Sequence, residues 1–223
     1  MSRRILLVTA TETEAGSIRK ISSSGRAGVA GNYEIHFLVT GVGSVPCAWS
    51  MMNWFSLNGK PDLAINAGIA GSFREDIHNG EVVMPENECF ADYGIEDGNE
   101  YLTLSEAGLG CASEFPFSEG YLMTDPLYHE KLKNVLRPVK AITRGTATGA
   151  QQTVDMLVRR FDPDIETMEG ASFFYICRRE SIPFFAVRSI SNRVERRNRA
   201  SWNIPLALEN LSVRMEEVFN LLE

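Results

Sequence analysis

Three polar residues in this 223-residue chain stand where side chains of their type could do chemistry. Glu14 falls just after an apolar run, residues 4–10, that reads as a buried strand. Glu169, between Met168 and Gly170, opens an apolar helical stretch. Asn192 ends the string Arg188-Ser189-Ile190-Ser191-Asn192, which closes a second apolar run. In an α/β sheet such ends line the crevice where ligands bind. A carboxylate there can deprotonate water or accept hydrogen bonds from a pair of hydroxyls, and an amide can donate to one ligand atom while accepting from another. Each residue also has a structural reading. Glu14 can complete the capping box Thr11-x-x-Glu14, Glu169 suits a helix N-terminus, and Asn192 suits a turn. Local sequence leaves both readings open.

These residues need elements to hold them. Residues 4–10 and 33–40 read as strands, and Gly41-Val42-Gly43 as a tight turn before a helix over residues 44–57. Residues 63–66 read as a strand, and Gly68-Ile69-Ala70-Gly71 as a small-residue loop after it. Residues 77–85 and 88–93 read as extended segments, 94–119 as a long loop, and 139–143 as a strand. Helices are expected over 150–161, stopped by Asp162-Pro163, and over 170–179. Residues 182–190 form a nearly continuous apolar strand, and 205–222 an amphipathic helix. Strand and helix alternate. The expected fold class is therefore α/β, a single domain over residues 1–223 with a central mixed β-sheet flanked by helices.

Composition removes several classes. At 44% hydrophobic the chain can bury a sizeable core. Its net charge of −7 argues against a nonspecific nucleic-acid binder. Cys47, Cys89, Cys111 and Cys177 lie far apart with no CxxC, so buried reduced thiols are expected rather than a disulfide framework or a metal site. The first apolar run is about seven residues long and is broken by Glu12 and Glu14, so neither a secretory leader nor a membrane span is expected, and the plain reading is cytoplasmic. Gly41-Val42-Gly43 and Gly68-x-x-Gly71 both fall short of a dinucleotide fingerprint, and no P-loop pattern is present.

Taken together, Thr9-Ala10-Thr11-Glu12-Thr13-Glu14, Gly41-Val42-Gly43-Ser44-Val45, Asn66-Ala67-Gly68-Ile69-Ala70-Gly71, Met168-Glu169-Gly170 and Arg188-Ser189-Ile190-Ser191-Asn192 resemble the nucleoside phosphorylase/nucleosidase superfamily. The resemblance runs over residues 4–222. It implies a three-layer α/β/α fold and an enzyme acting on a purine nucleoside without metal or organic cofactor. Breaking an N-glycosidic bond passes through a ribosyl cation-like state, which carboxylates are suited to stabilise. By the resemblance Glu14 is the catalytic carboxylate that orients and deprotonates water. Met168 packs under the ribose while Glu169 accepts from its 2′- and 3′-hydroxyls, and the backbone at Ala70 and Gly71 lies beside the nucleoside.

Asn192 departs from the adenine-specific members, the methylthioadenosine/S-adenosylhomocysteine nucleosidases, which carry an aspartate there. An asparagine cannot act as a general acid but can both donate and accept, which suits hypoxanthine or another oxopurine. Gly145-Thr146-Ala147-Thr148-Gly149 and residues 191–205 resemble one branch whose substrate carries a carboxyphenyl ketone extension on the nucleoside 5′ side. Thr146 and Thr148 would then offer hydroxyls near the base. Arg197 or Arg199 would supply a cation for the extension, and Phe90, Phe117 or Trp202 an apolar wall.

Water is the expected nucleophile. Residues 9–16 contain no arginine to hold phosphate, none accompanies residues 68–71, and Arg74 lacks the family spacing. Glu14 would repel that dianion, and Arg188 reads as structural. The alternative is a methylthioadenosine/S-adenosylhomocysteine-type or other purine nucleosidase, and beyond it a noncatalytic nucleoside-binding protein. The resemblance further implies a homodimer or higher homo-oligomer, and the apolar segment 49–57 reads either as part of such a contact or simply as core.

Overall fold

Residues 5–8 alternate between two apolar clusters, Ile5 and Leu7 in one, Leu6 and Val8 in the other. A strand covered on both faces has no polar side, which is why residues 4–10 read as one unbroken apolar run. This strand is β1 (Arg3–Thr9), the first element of a computed structural model that describes residues 3–23, 33–98 and 100–222. In chain order there follow α1 (Glu12–Ser23), β2 (Tyr33–Val39), α2 (Ser44–Asn58), β3 (Leu63–Ser72), β4 (Val82–Phe90), β5 (Gly94–Asp97) and β6 (Glu100–Thr103). The second half holds β7 (Leu122–Met123), α3 (Pro126–Leu132), β8 (Arg137–Thr143), α4 (Gln151–Phe161), β9 (Ile165–Thr167), α5 (Gly170–Arg179), β10 (Phe184–Arg193) and α6 (Ile204–Leu222).

The sheet is mixed, as expected. β2, β1, β3 and β10 run parallel, in that order. β10 then pairs antiparallel with β4, β4 parallel with β8, and β8 parallel with β9. β9 returns to pair antiparallel with the far end of β3, so β3, β10, β4, β8 and β9 close into a ring. A cluster fed by all five of these strands, including Ala70, Val83, Val139, Ile165 and Ile190, fills it. One face of the open part packs Leu211, Met215 and Phe219 of α6 under Ile65 and Phe185. The other packs Met51 and Phe55 of α2 with Phe173 and Phe174 of α5 against Ala64 and Phe184. The result is three layers, α/β/α. Each fully buried side chain of this size contributes about 1.5–3 kcal/mol.

Four local expectations change. Gly68-Ile69-Ala70-Gly71 is strand, the continuation of β3, and not a loop. Small residues carry no side-chain periodicity, so a strand made of them is invisible to pattern reading. The extended segments 77–85 and 88–93 are one strand over 82–90, preceded by a turn. The loop 94–119 carries the β5–β6 hairpin, with Asn99 outside the described residues. Of the four thiols, all free, Cys111 is exposed and the other three are buried.

Candidate active site

The site is a gap on one edge of β3. Residues 63–66 of β3 pair with β1, and Gly71 and Ser72 pair with β9. Between them, residues 67–70 have β10 on one edge and no strand on the other. Glu14 enters this gap from the end of β1. Its Oε1 accepts from the backbone N–H of Ile69 at 3.0 Å. Its Oε2 accepts from the Thr11 backbone N–H and from the Thr11 hydroxyl, both at 2.9 Å, and Thr11 Oγ1 accepts in turn from the Glu14 N–H at 3.3 Å. The capping box is therefore formed, and the same carboxylate also reaches across to β3. Gly68 is what permits this: a Cβ there would lie 2.7 Å from Glu14 Oε1.

Glu169 follows β9 and stands near enough to Glu14 for the two charges to act on each other. It stands at the N-cap of α5, yet its side chain makes no capping bond. The helix start is capped instead by threonines: Gly170 N donates to Thr167 Oγ1 at 3.3 Å and Ala171 N to Thr143 Oγ1 at 2.8 Å. That frees the Glu169 carboxylate, whose Oε1 accepts from the Gly43 N–H at 2.7 Å. Gly43 holds φ at 103°, a conformation only glycine adopts without strain. Ser44 Oγ donates to the Met168 carbonyl at 3.4 Å, so the β2–α2 turn clamps the Met168-Glu169 pair. Burial raises the Glu169 pKa. The Gly43 N–H and the Arg188 charge oppose the rise, and the nearby Glu14 charge adds to it. The two carboxylates are thus neighbours, Glu14 in the gap of β3 and Glu169 on the β2–α2 turn.

Asn192 lies against the far end of that gap. The β10–β3 register slips between Ile190 and Asn192. This irregularity re-aims the strand end and brings Asn192 Nδ2 to 3.2 Å from where a Gly71 Cβ would be. Ser191 Oγ donates to Asn192 Oδ1 at 2.8 Å, and Asn192 Nδ2 donates to the Arg193 carbonyl at 2.8 Å. Ala70 is buried and Gly71 half-buried beside it. Glu14 and Asn192 therefore lie along neighbouring parts of β3, with Glu169 beside Glu14 and Met168 preceding it in the chain.

The peripheral candidates divide. Phe90 stacks on Tyr93 at 4.4 Å between ring centroids. Arg197 lies 5.7 Å over the Trp202 ring, and its backbone N–H donates to the Gly149 carbonyl at 3.2 Å, so the loop after β10 rests on residues 145–149. Arg199 and Thr146 are exposed. Thr148 departs from expectation. Its N–H donates to Glu166 Oε1 at 2.8 Å, its hydroxyl donates to Glu166 Oε2, and Arg144 donates to its oxygen at 2.8 Å. That hydroxyl serves the loop rather than standing open to a base. Arg188 is structural as read, donating to the Asn66 and Val187 carbonyls at 2.8 and 3.1 Å and to the Asn66 side-chain oxygen.

Two residues escaped sequence reading: Glu166, which holds the Thr148 loop, and Glu88, fully buried below α5. In sequence each resembles the solvent side of a strand. The signal was the company of Thr143 and Thr167, two threonines at strand ends. A cleft of about 540 Å³ between α1 and α6 is lined by Glu12, Thr13, Gly16, Ser17, Pro205, Leu208, Glu209 and Ser212. Glu14 and Glu169 do not line it, and we assign it no part in the site.

With this geometry in hand, comparison with known proteins is direct. The sequence profile of the Phosphorylase superfamily matches residues 4–223, and the chain belongs to that superfamily. Among its relatives, the futalosine hydrolase of Streptomyces coelicolor is 29% identical over 192 residues, 83% of this chain and 79% of that protein. A 5′-methylthioadenosine/S-adenosylhomocysteine nucleosidase of Buchnera aphidicola is 25% identical over 232 residues, 92% of this chain and 91% of that one. The structure of futalosine hydrolase from Helicobacter pylori superposes with a TM-score of 0.78 at 17% identity, covering 97% of both chains, which establishes the shared fold.

Proposed function

We propose that this chain is a nucleosidase that hydrolyses futalosine to hypoxanthine and dehypoxanthine futalosine, a step of menaquinone biosynthesis. The observation that carries the reading is the Glu14 carboxylate seated on the unpaired stretch of β3, with the freed Glu169 carboxylate near enough for the two charges to act on each other. In this mechanism the ribose lies in the gap. Glu169 accepts from its 2′- and 3′-hydroxyls and Met168 packs beneath it. As the C–N bond lengthens, the electron pair leaves with the base, and the two carboxylates offset positive charge on the sugar. Glu14 takes a proton from water, whose oxygen bonds to the anomeric carbon. Asn192 hydrogen-bonds the purine edge, and the base gains its proton from solvent. No metal or organic cofactor takes part.

Water rather than phosphate is favoured by the arginines. Arg188 commits its NH1 and NH2 groups to Asn66 and Val187, and Arg74 pairs with Asp162 and Asp164, both at 3.3 Å. A dianion placed in the gap would meet the Glu14 carboxylate instead of a free cation. The partner is a small nucleoside, with Arg197, Arg199, Trp202 and Phe90 toward its 5′ extension. Thr146 and the Thr148 backbone lie on the base-side loop.

The enzyme works as a homo-oligomer in the cytoplasm. The free thiols are consistent with that reducing compartment, and no helix among the described residues is long and apolar enough to cross a membrane. The decisive assay offers futalosine, methylthioadenosine, S-adenosylhomocysteine and inosine, with and without phosphate, and identifies the released base. Hypoxanthine from futalosine without phosphate is expected. Adenine from methylthioadenosine with futalosine untouched, or strict phosphate dependence, would overturn the reading.

A further inference from the structure

Four oxygens of three side chains meet under the N-terminus of α5. Thr143 Oγ1 lies 2.9 Å from Glu88 Oε2, Thr167 Oγ1 lies 3.0 Å from Glu88 Oε1, and the two threonine hydroxyls lie 2.8 Å apart. Each threonine oxygen also accepts a backbone N–H from the first turn of α5, from Ala171 at 2.8 Å and Gly170 at 3.3 Å. Three oxygen–oxygen contacts need three protons, and the two hydroxyls bring two. With the third proton on Glu88 the count closes: Glu88 Oε1–H donates to Thr167, Thr167 to Thr143, and Thr143 to Glu88 Oε2. Were Glu88 ionised, both hydroxyls would turn to it, and the 2.8 Å threonine contact would hold no proton.

The surroundings agree. Glu88 is fully buried. Arg188, the cation acting on it, commits NH1 and NH2 to Asn66 and Val187. The space is closed as well, since a Cβ on Gly170 would fall 1.7 Å from Glu88 Oε1.

We propose that Glu88 is a positioning residue held as a neutral acid, closing with Thr143 and Thr167 a hydrogen-bonded ring that fixes the turn presenting Glu169 to the ribose. The charged groups acting on it are Arg188 from β10, which favours ionisation, and Glu169 at the head of α5, which opposes it; β8 and β9 contribute only the two hydroxyls. Burial outweighs the rest and pushes the Glu88 pKa up to about 7. The neutral ring therefore holds through acidic pH and gives way through neutrality. Above that range a second negative charge appears beneath Glu169 and the ring loses its third proton.

The test is Glu88→Gln, whose amide supplies one donor and one acceptor as the neutral acid does. Its catalytic arm rests on the ribose role given to Glu169; its thermal arm does not. A folded-state pKa above the unfolded value means that stability is present at low pH and lost as pH rises toward it. The Tm advantage of Glu88→Gln over wild type should grow from about pH 5 to about pH 7.5 and then level. The KM for futalosine should rise several-fold toward alkaline pH in wild type and stay flat in Glu88→Gln, with kcat little changed. An equal Tm difference at every pH, or an unchanged alkaline rise in KM, overturns the proposal. Should Glu88→Gln fail to fold, carbon-13 NMR of glutamate-labelled protein reads the same group. A carboxyl titrating near neutrality must persist in Glu169→Gln and Glu166→Gln; its absence overturns the proposal.

Discussion

A Cβ on Gly68 would stand 2.7 Å from Glu14 Oε1, so the proposed water-activating carboxylate and the strand beside it are fitted to each other at the level of a single methyl group. Gly68→Ala should therefore displace Glu14 while leaving the sheet intact. Overpacking of this kind costs about 1–3 kcal/mol, and a displacement near 1 Å lowers turnover by ~10²-fold. Glu14→Gln should lower kcat by ~10²–10⁴-fold with KM little changed. Steady-state kinetics alongside thermal melts separate the two effects. Normal turnover in a folded Glu14→Gln protein would remove Glu14 from the chemistry.

Glu169 should give the acidic limb of the pH profile. Burial raises its pKa, and two ribose hydroxyls bind only its ionised form well. As pH falls through that raised value the carboxyl protonates, and KM should rise. The stability sign is opposite: a raised folded-state pKa gives stability that is present at low pH and lost as pH climbs through it. Glu169→Gln should raise KM by roughly 30–150-fold, corresponding to about 2–3 kcal/mol of lost hydrogen bonding, and abolish the acidic rise. A KM for wild type that is flat below neutrality would contradict the ribose role.

Asn192 sits where the β10 irregularity turns it toward Gly71. Asn192→Asp should lower kcat/KM for futalosine and shift the ratio toward its adenine analogue, because a protonatable group then stands near the purine. Complete conversion is not expected, since several buried partners share specificity. An unchanged ratio in a folded variant places Asn192 outside base recognition.

Val45, Trp49 and Met52 lie on one face of α2 and are 75%, 69% and 44% exposed, while Cys47, Met51 and Phe55 on the other face are buried. We propose this exposed apolar stripe as the contact surface of the homo-oligomer. Trp49→Glu should convert a homo-oligomer into smaller species in light scattering, with the melting curve of the fold retained. A wild-type protein that is already monomeric at low micromolar concentration would refute the assembly.

Much of this could be read along the chain. Side-chain periodicity marks α2, α4 and α6 to within about a turn, because each buries one face and exposes the other, while α5, buried nearly all round, shows as an apolar stretch after Met168-Glu169. β1 and β10 announce themselves as apolar runs because both their faces are covered. What could not be read has a common cause. The second half of β3 is built of glycine and alanine, which carry no pattern. β9 is three residues long, and its place in the ring comes from pairing partners roughly 95 residues away in sequence, Gly71 with Glu166 and Ser72 with Ile165.

The residue types of the site, two glutamates and an asparagine at the ends of apolar runs, were settled in the sequence, since each type has a limited chemistry wherever it stands. Their roles were not. Whether Glu14 only caps α1 or also reaches β3 depends on Gly68, 54 residues on, lacking a side chain. Whether Glu169 caps α5 or stands free depends on Thr143 and Thr167 taking the helix N–H groups in its place. The proton proposed on Glu88 exists only because three polar side chains from three strands are packed against one another in a closed space. Hydrogen bonding and desolvation act through space, so the protonation and direction of these groups belong to the tertiary structure alone.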